Sequence, residues 1–168
     1  MIIRSLLGAA ALALVAGTAS AQVTGPVESG ADRQMCMDVE GSGIAPGTAI
    51  NVFSCNGTDA QSWTVAPNAF NTATVTFTSN LSGRPVPGCL TVSGAPVDGA
   101  SVVIDNCLPF SSNQAFYPTQ SNDAYQFASE AAPTLCLTAT GLSNNAPIEL
   151  RDCDSQSGEV MWHLSGSL

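Results

Sequence analysis

Six cysteines, arranged as three pairs at a nearly fixed period, constrain this chain more than any other feature of its sequence. The members of a pair lie 19, 18 and 17 residues apart, and the first members of successive pairs are separated by 53 and then 47 residues. A fixed period of this size indicates an internal repeat. The pairs are Cys36 and Cys55, Cys89 and Cys107, and Cys136 and Cys153.

The residues around the cysteines repeat as well. Each first cysteine lies in a short apolar stretch, and each second cysteine follows a stretch in which apolar side chains alternate, as they do in a half-buried strand. An aromatic residue stands eight or nine positions after each second cysteine, at Trp63, Phe116 and Trp162. Three units of about four strands predict an all-β protein of about twelve short strands, closed so that no sheet edge is exposed and the three aromatics share a core.

Six cysteines allow fifteen disulfide connectivities in principle. If the three units share one local structure, each closes its own pair, which predicts the bridges Cys36–Cys55, Cys89–Cys107 and Cys136–Cys153. Free thiols or a metal site are the alternative. The chain has no C-x-x-C pair and a single histidine, His163, which argues against zinc. We therefore expect neither a metal nor a cofactor.

The first 21 residues are typical of a secretory signal peptide. Arg4 supplies the positive charge, Leu6 to Ala16 form an apolar core, and Ala19-Ser20-Ala21 is a small-x-small cleavage site. A transmembrane anchor is the alternative, but the apolar run is too short to span roughly 30 Å of hydrocarbon. We expect a secreted or periplasmic protein, cleaved after Ala21, in an oxidising compartment that permits disulfides.

Charge excludes some classes of partner. The chain has 13 acidic and 4 basic residues and a formal net charge of −9. A polyphosphate or an anionic membrane surface would meet a repulsive field, so we expect no nucleic-acid partner and no attraction to such a surface. Because the apolar run of the leader is too short, we also expect no membrane span. No Gly-x-Ser-x-Gly turn is present, and no pair of carboxylates stands out by its context. The sequence therefore does not predict an enzyme.

Three short motifs carry a resemblance to a known family. The first unit reads Cys36-Met37-Asp38-Val39, then a strand that ends at Cys55, then Gln61-Ser62-Trp63. The second keeps Gln114-Ala115-Phe116, and the third has Val160-Met161-Trp162, without the Gln. This pattern resembles the ricin-B-type lectin domain, which is also found as a carbohydrate-binding module on bacterial xylanases. The resemblance covers residues 33–166.

The resemblance implies a β-trefoil and recognition of galactose- or xylose-type glycans. It divides the mature chain into an N-terminal extension at 22–34 and a trefoil at 35–168, with repeats at about 35–80, 81–128 and 129–168. The implied function is that of a secreted lectin-like module.

Comparison of the three units places one probable sugar site in the first. Asp38 occupies the family's carboxylate position, and Phe53 occupies the position of the aromatic ring that stacks on the sugar. Asn51 and Gln61 stand where the family orients its ligand. Ala60 departs from the usual Asn before the Gln, and Asp59 is a candidate substitute. The other units have Thr91 and Thr138 in place of the carboxylate, and Asp105 and Arg151 in place of the ring.

Other interpretations of these residues stay open. Asp38 could bind a backbone N–H in the following turn, Phe53 could be covered by a loop, and Gln61 could bridge strands. The chain as a whole could instead be a protein-binding trefoil, such as a receptor-binding toxin subunit or an inhibitor, with a protein partner. It could also be a structural envelope protein with degenerate sugar sites.

Overall fold

A computed structural model of the protein describes residues 21–154 and 158–168. The predicted signal peptide, except for Ala21, lies outside these residues. The described residues contain no helix longer than a three-residue 3-10 turn, and the turns are Glu40–Ser42, Asp59–Gln61, Ser112–Gln114 and Gly158–Val160. The strands are β1 Val23–Gly25, β2 Val27–Ser29, β3 Met35–Val39, β4 Thr48–Ser54, β5 Trp63–Pro67, β6 Val75–Ser79, β7 Gly88–Val92, β8 Val102–Asn106, β9 Phe116–Ser121, β10 Ala124–Ser129, β11 Leu135–Ala139, β12 Ala146–Asp152 and β13 Met161–Leu164.

Each pair of cysteines belongs to one antiparallel hairpin. The hairpins are β3–β4, β7–β8 and β11–β12, and in each the first cysteine lies within the first strand. The second cysteine follows the second strand directly. All three predicted disulfides are present, and the described residues contain no free cysteine. The cysteine pairing predicted from the repeat is thereby confirmed, because every bridge stays inside its own unit.

The second strands of the three hairpins meet each other and close the molecule. Strand β4 pairs with β8 and also with β12, and the bridge between Ser101 and Glu149 joins the second unit to the third. This threefold arrangement of hairpins is the predicted β-trefoil. It matters for function because the turn of each hairpin lies against a strand of the next unit.

Alternating burial along the strands builds one core. Trp63, Phe116 and Trp162 are fully buried in the same cluster, as the repeat predicted. The indole N–H of Trp63 donates to the carbonyl oxygen of Met37 at 3.0 Å, and that of Trp162 donates to Leu137 at 2.9 Å. Each buried indole thus satisfies its single donor on the first strand of its own hairpin.

Two strands lie in the segment 22–34. Strand β1 pairs with β5, and β2 pairs with both β13 and β3. The segment therefore contributes to the sheet, and it accounts for a strand count slightly above the predicted twelve. Each of these strands has only three residues, too few for an alternating pattern to be recognised in the sequence.

Candidate functional site

The register of the first hairpin places three predicted site residues on one face. Asp38 lies directly opposite Asn51, and Cys36 lies opposite Phe53. Residues opposite each other on antiparallel strands share a face, as do residues two apart on one strand. Asp38, Asn51 and Phe53 therefore project to the same side of the hairpin.

Two of these residues, Asp38 and Phe53, line one surface cavity of about 270 Å³. This volume lies near the lower end of small-molecule sites, which span about 300–1,000 Å³, so it suits a single sugar ring. Phe53 is half-buried, so part of its ring remains open to a ligand. The other lining residues are Gly41, Ser42, Asn56, Thr58, Ala60 and Asn145.

The carboxyl group of Asp38 is held in an unfavourable environment for its charge. Only 6% of the residue is exposed, and burial raises the pKa of this carboxyl from its usual 3.8, partly opposed by a hydrogen bond from the Gln61 side chain. Within the described residues no cation forms an ion pair with it. A ligand hydroxyl that donated to Asp38 would replace part of the hydration that burial removes.

Gln61 lies behind the cavity and bridges the chain. Its Nε2 donates to the carbonyl oxygen of Ser54 at 3.0 Å, and its Oε1 accepts from the N–H of Asn56 at 2.8 Å. Gln114 of the second unit makes the same pair of contacts, at 2.9 Å to Asn106 and 2.8 Å from Leu108. The Gln is thus a structural bridge in both units. It also bonds to the equivalent position on the first strand of each hairpin, which is Asp38 for Gln61 and Thr91, at 2.9 Å, for Gln114.

Asn51 is buried rather than open to a ligand. It is 3% exposed and does not line the cavity, although the resemblance implied that it helps to orient a ligand. The reason is that β12 packs on β4, with Pro147 opposite Asn51. The Nδ2 of Asn51 donates to Oδ1 of Asn145 at 3.4 Å, and its own Oδ1 has no hydrogen-bond partner among the described residues. We assign Asn51 to support of the cavity wall.

Asn145, a residue that the sequence did not single out, enters the cavity from the third unit. It has a φ of 68° in the left-handed region. Gly47 and Gly99 have φ values of 86° and 81° and occupy the matching turns of the other hairpins. All three donate their backbone N–H to a strand of the next unit. Only in the third hairpin does this position carry a side chain, and Asn tolerates the conformation better than most residues.

At the counterpart positions of the other units, side chains form hydrogen bonds and ion pairs within the protein. Thr91 and Thr138 donate their hydroxyls to carbonyl oxygens on their own strands, at 2.9 and 3.1 Å. Arg151 forms ion pairs with Asp98 at 3.3 Å and Glu149 at 2.6 Å. Neither unit offers an aromatic ring beside a carboxylate, so the first unit differs from both.

Two other features of the sequence are placed away from this cavity. Asp59, the candidate substitute for the missing Asn, is exposed and begins a 3-10 turn without lining the cavity. His163 is buried, with Nδ1 3.5 Å from Asp123 Oδ2. The described residues contain no cluster of His, Cys, Asp or Glu arranged to hold a metal ion. No helix in the same part of the chain has the length and apolar character needed to cross a membrane.

Solved structures with the same fold include both designed and natural proteins. The designed threefold-symmetric protein ThreeFoil matches with a TM-score of 0.75 and 18% identity, covering 86% of this chain and 99% of that one. The Rhizoctonia solani agglutinin matches with a TM-score of 0.73 and 14% identity, covering 89% and 98%. The Macrolepiota procera ricin B-like lectin, solved in complex with lactose, matches with a TM-score of 0.65 and 18% identity, covering 84% and 93%.

The family follows from the sequence comparison rather than from these distant structures. A comparison with curated proteins gave no significant match. The model of the ricin-type beta-trefoil lectin domain matches residues 23–123, which is more than half of the chain and includes Asp38 and Phe53. This chain therefore belongs to the family of ricin-type β-trefoil lectin domains.

Proposed function

We propose that this protein is a secreted carbohydrate-binding module that holds one neutral sugar ring reversibly in the cavity of its first unit. The observation that carries the proposal is the pairing of Asp38 and Phe53 in one cavity, which neither sister unit reproduces. Membership of a lectin family supports carbohydrate as the class of ligand. The chain then acts by binding, with no chemical step of its own.

The two side chains suit the two surfaces of a sugar. A pyranose ring has a face of C–H groups, which packs on a flat aromatic ring such as Phe53. Its hydroxyls donate to a carboxylate, and bonds to a charged acceptor are stronger than neutral ones, so Asp38 fixes the orientation. Asn145 adds an amide to the lining of the cavity, with Asn51 and Gln61 as supports behind it.

Galactose- and xylose-type glycans are the proposed ligands. The Macrolepiota procera lectin was solved in complex with lactose, so lactose is the first sugar to test on this protein. One small, open cavity predicts weak binding, and a dissociation constant near 1 mM corresponds to about −4.1 kcal/mol. Useful retention on a glycan surface would then need several sites acting together.

A glycan array tests the class of ligand. The mature protein, displayed multivalently, should bind features that end in galactose or xylose, and Asp38→Ala should weaken that signal. Asp105→Ala is the matched control, because it removes a carboxylate at the ring position of the second unit. An array without signal for either sugar class would refute the proposed function, and equal loss in the control would refute the site.

Secretion is the second part of the proposal, and intact mass measures it. Expression of the full chain in a Gram-negative host should give a periplasmic or secreted protein that begins at Gln22. The disulfides are consistent with that compartment, because such bridges persist in oxidising surroundings. Retention of Met1 in the folded product would contradict the predicted cleavage after Ala21.

A further inference from the structure

Two loops each carry a phenylalanine to the same place. Phe110 lies in the loop between Cys107 and Gln114, which holds six residues, as does the third unit's loop between Cys153 and Val160, whereas the first unit's loop between Cys55 and Gln61 holds five. Phe70 lies in the β5–β6 loop at 68–74, which is longer than the turn at 122–123 of the matching β9–β10 hairpin.

The two rings are exposed and in contact. Their centroids lie 3.9 Å apart, with the ring planes tilted by 40°. Phe70 is 58% exposed and Phe110 is 76% exposed. Burial against the core therefore does not explain why either ring is held in this position, since most of each ring stays in water.

The backbone of Phe110 is strained. Its φ of 63° lies in the left-handed region, where a bulky L-residue is an outlier. Such a conformation costs on the order of 1–3 kcal/mol and is concentrated at functional sites. The loop at 68–74 is fixed as well, because Asn71 Nδ2 donates to Glu130 Oε1 at 2.5 Å. This hydrogen bond thus anchors the loop that carries Phe70.

A cleft of about 450 Å³ lies beside the rings. The disulfide between Cys89 and Cys107 forms part of its lining, together with Pro87, Leu108 and the two rings. Thr91 and Asp105, the counterparts of Asp38 and Phe53, are absent from the lining. The cleft is therefore not the second unit's counterpart of the first-unit cavity.

The cleft contains polar side chains that could form hydrogen bonds with a ligand. Thr76 and Ser111 line it, and neither side-chain hydroxyl makes a hydrogen bond within the described part of the chain. Asn68 uses its Oδ1 to accept from the N–H of Phe70 at 3.0 Å, which leaves its amide N–H groups for a ligand. An all-hydrocarbon ligand would desolvate these groups without compensation.

The charge of the lining residues restricts the chemical class of the ligand further. The described residues that line it include no ionisable acid or base. A phosphate, a carboxylate or an ammonium group would find no counter-charge there. Apolar rings with a few hydroxyl and amide groups instead match the C–H face and the hydroxyls of an uncharged sugar.

We propose that the cleft beside Phe70 and Phe110 is a second saccharide site, built by the loops at 68–74 and 108–113 rather than by the residues that form the first-unit cavity. The choice of saccharide as ligand rests on the proposed function, whereas the geometry of the cleft is independent of the first-unit cavity. Two sites in one chain would let a single molecule hold two sugar units, which raises its effective affinity for a glycan surface without oligomerisation.

Nuclear magnetic resonance titration of the oxidised mature protein with lactose, and separately with xylotriose, tests this site. At least one sugar should shift two separate groups of backbone amides, one around Asp38 and Phe53 and one around Thr76 and Phe110. Phe110→Ala should weaken the second response at least about tenfold and leave the first unchanged. Val97→Ala, which truncates another exposed apolar side chain, should change neither.

Each other outcome has a definite meaning. Shifts in the first group alone would overturn the second site and leave the proposed function standing. Shifts in the second group alone would support the cleft and overturn the first-unit site. No shift with either sugar would overturn both proposals. A cleft that responds to indole but to neither sugar would be an apolar docking surface for a protein, which also overturns the saccharide site.

Discussion

Asn145 in the third unit donates its backbone N–H to the carbonyl oxygen of Val52 in the first unit, at a distance of 2.9 Å. Gly47 and Gly99 make the same contact to Ile104 and Leu150, both at 2.8 Å. The contact belongs to the threefold fold, but the Asn side chain is a local addition. Through this side chain, the hairpin turn also forms part of the lining of the candidate sugar cavity.

Replacement of Asn145 by Gly separates these two roles. Gly adopts a φ near 68° without strain, so the backbone bond to Val52 should persist. We expect Asn145→Gly to weaken sugar binding several-fold, while the free energy of unfolding stays within about 1 kcal/mol of the wild-type value. Calorimetric titration and chemical denaturation measure the two quantities.

The reverse change at a sister turn is the control for this variant. A Cβ at Gly47 would meet no atom within 4 Å, although its φ of 86° makes any side chain there strained. Gly47→Asn should therefore fold with some loss of stability and should not affect binding. Unaltered affinity in a folded Asn145→Gly variant would show that the third unit takes no part in recognition.

Asp38 should give the protein opposite pH responses in stability and in binding. Its pKa is raised above 3.8 by burial. A raised folded-state pKa means that the folded form binds the proton more tightly, so the contribution to stability is full below pH 3.8 and is lost as pH rises through the folded pKa. Sugar affinity should change the other way, because the ionised carboxylate is the stronger acceptor.

Asp38→Asn isolates this contribution, since Asn stays neutral at every pH. Its stability relative to the wild type should rise between pH 3 and pH 7, as measured by denaturant unfolding across that range. A constant difference between the two proteins would mean that the carboxyl titrates as an ordinary exposed Asp.

The local part of the fold was predictable, because it depends on residues close in the chain. Cysteine spacing and strand alternation define each hairpin, and the pairing inside a hairpin places Asp38 beside Phe53. Burial of Asn51 was not predictable, since it depends on β12 packing across β4. The entry of Asn145 depends on the same long-range contact, although the sequence does show Asn where two sister turns have Gly.

The contact between Phe70 and Phe110 is another feature that depends on long-range packing and so could not be predicted from the sequence. The sequence shows Phe110 in the loop after Cys107, but no local pattern says that residues 68–74 fold against this loop. Their meeting depends on β6 pairing with both β7 and β9, which the threefold closure imposes.

Each disulfide should stabilise its own unit by a similar amount. The bridges close loops with sequence separations of 19, 18 and 17 residues, each worth roughly 3 kcal/mol in the chain-entropy model. Removing Cys136 and Cys153 together by Ala substitution should lower the free energy of unfolding by about that amount. Because this bridge joins the open end of the β11–β12 hairpin, away from the turn that carries Asn145, sugar binding at low temperature should survive. Loss of binding in a folded double variant would show that the units are more tightly coupled than their separate bridges suggest.

The most direct test of the first-unit site is calorimetric titration of the mature protein with the sugar selected on the array, comparing Phe53→Ala with Asp105→Ala. The two variants truncate counterpart positions in the first and second units. We predict that Phe53→Ala weakens binding at least about tenfold, a change of about 1.4 kcal/mol, and that Asp105→Ala leaves it unchanged. Equal affinity of Phe53→Ala and the wild type, with the fold intact, would contradict the assignment of the sugar site to the first unit.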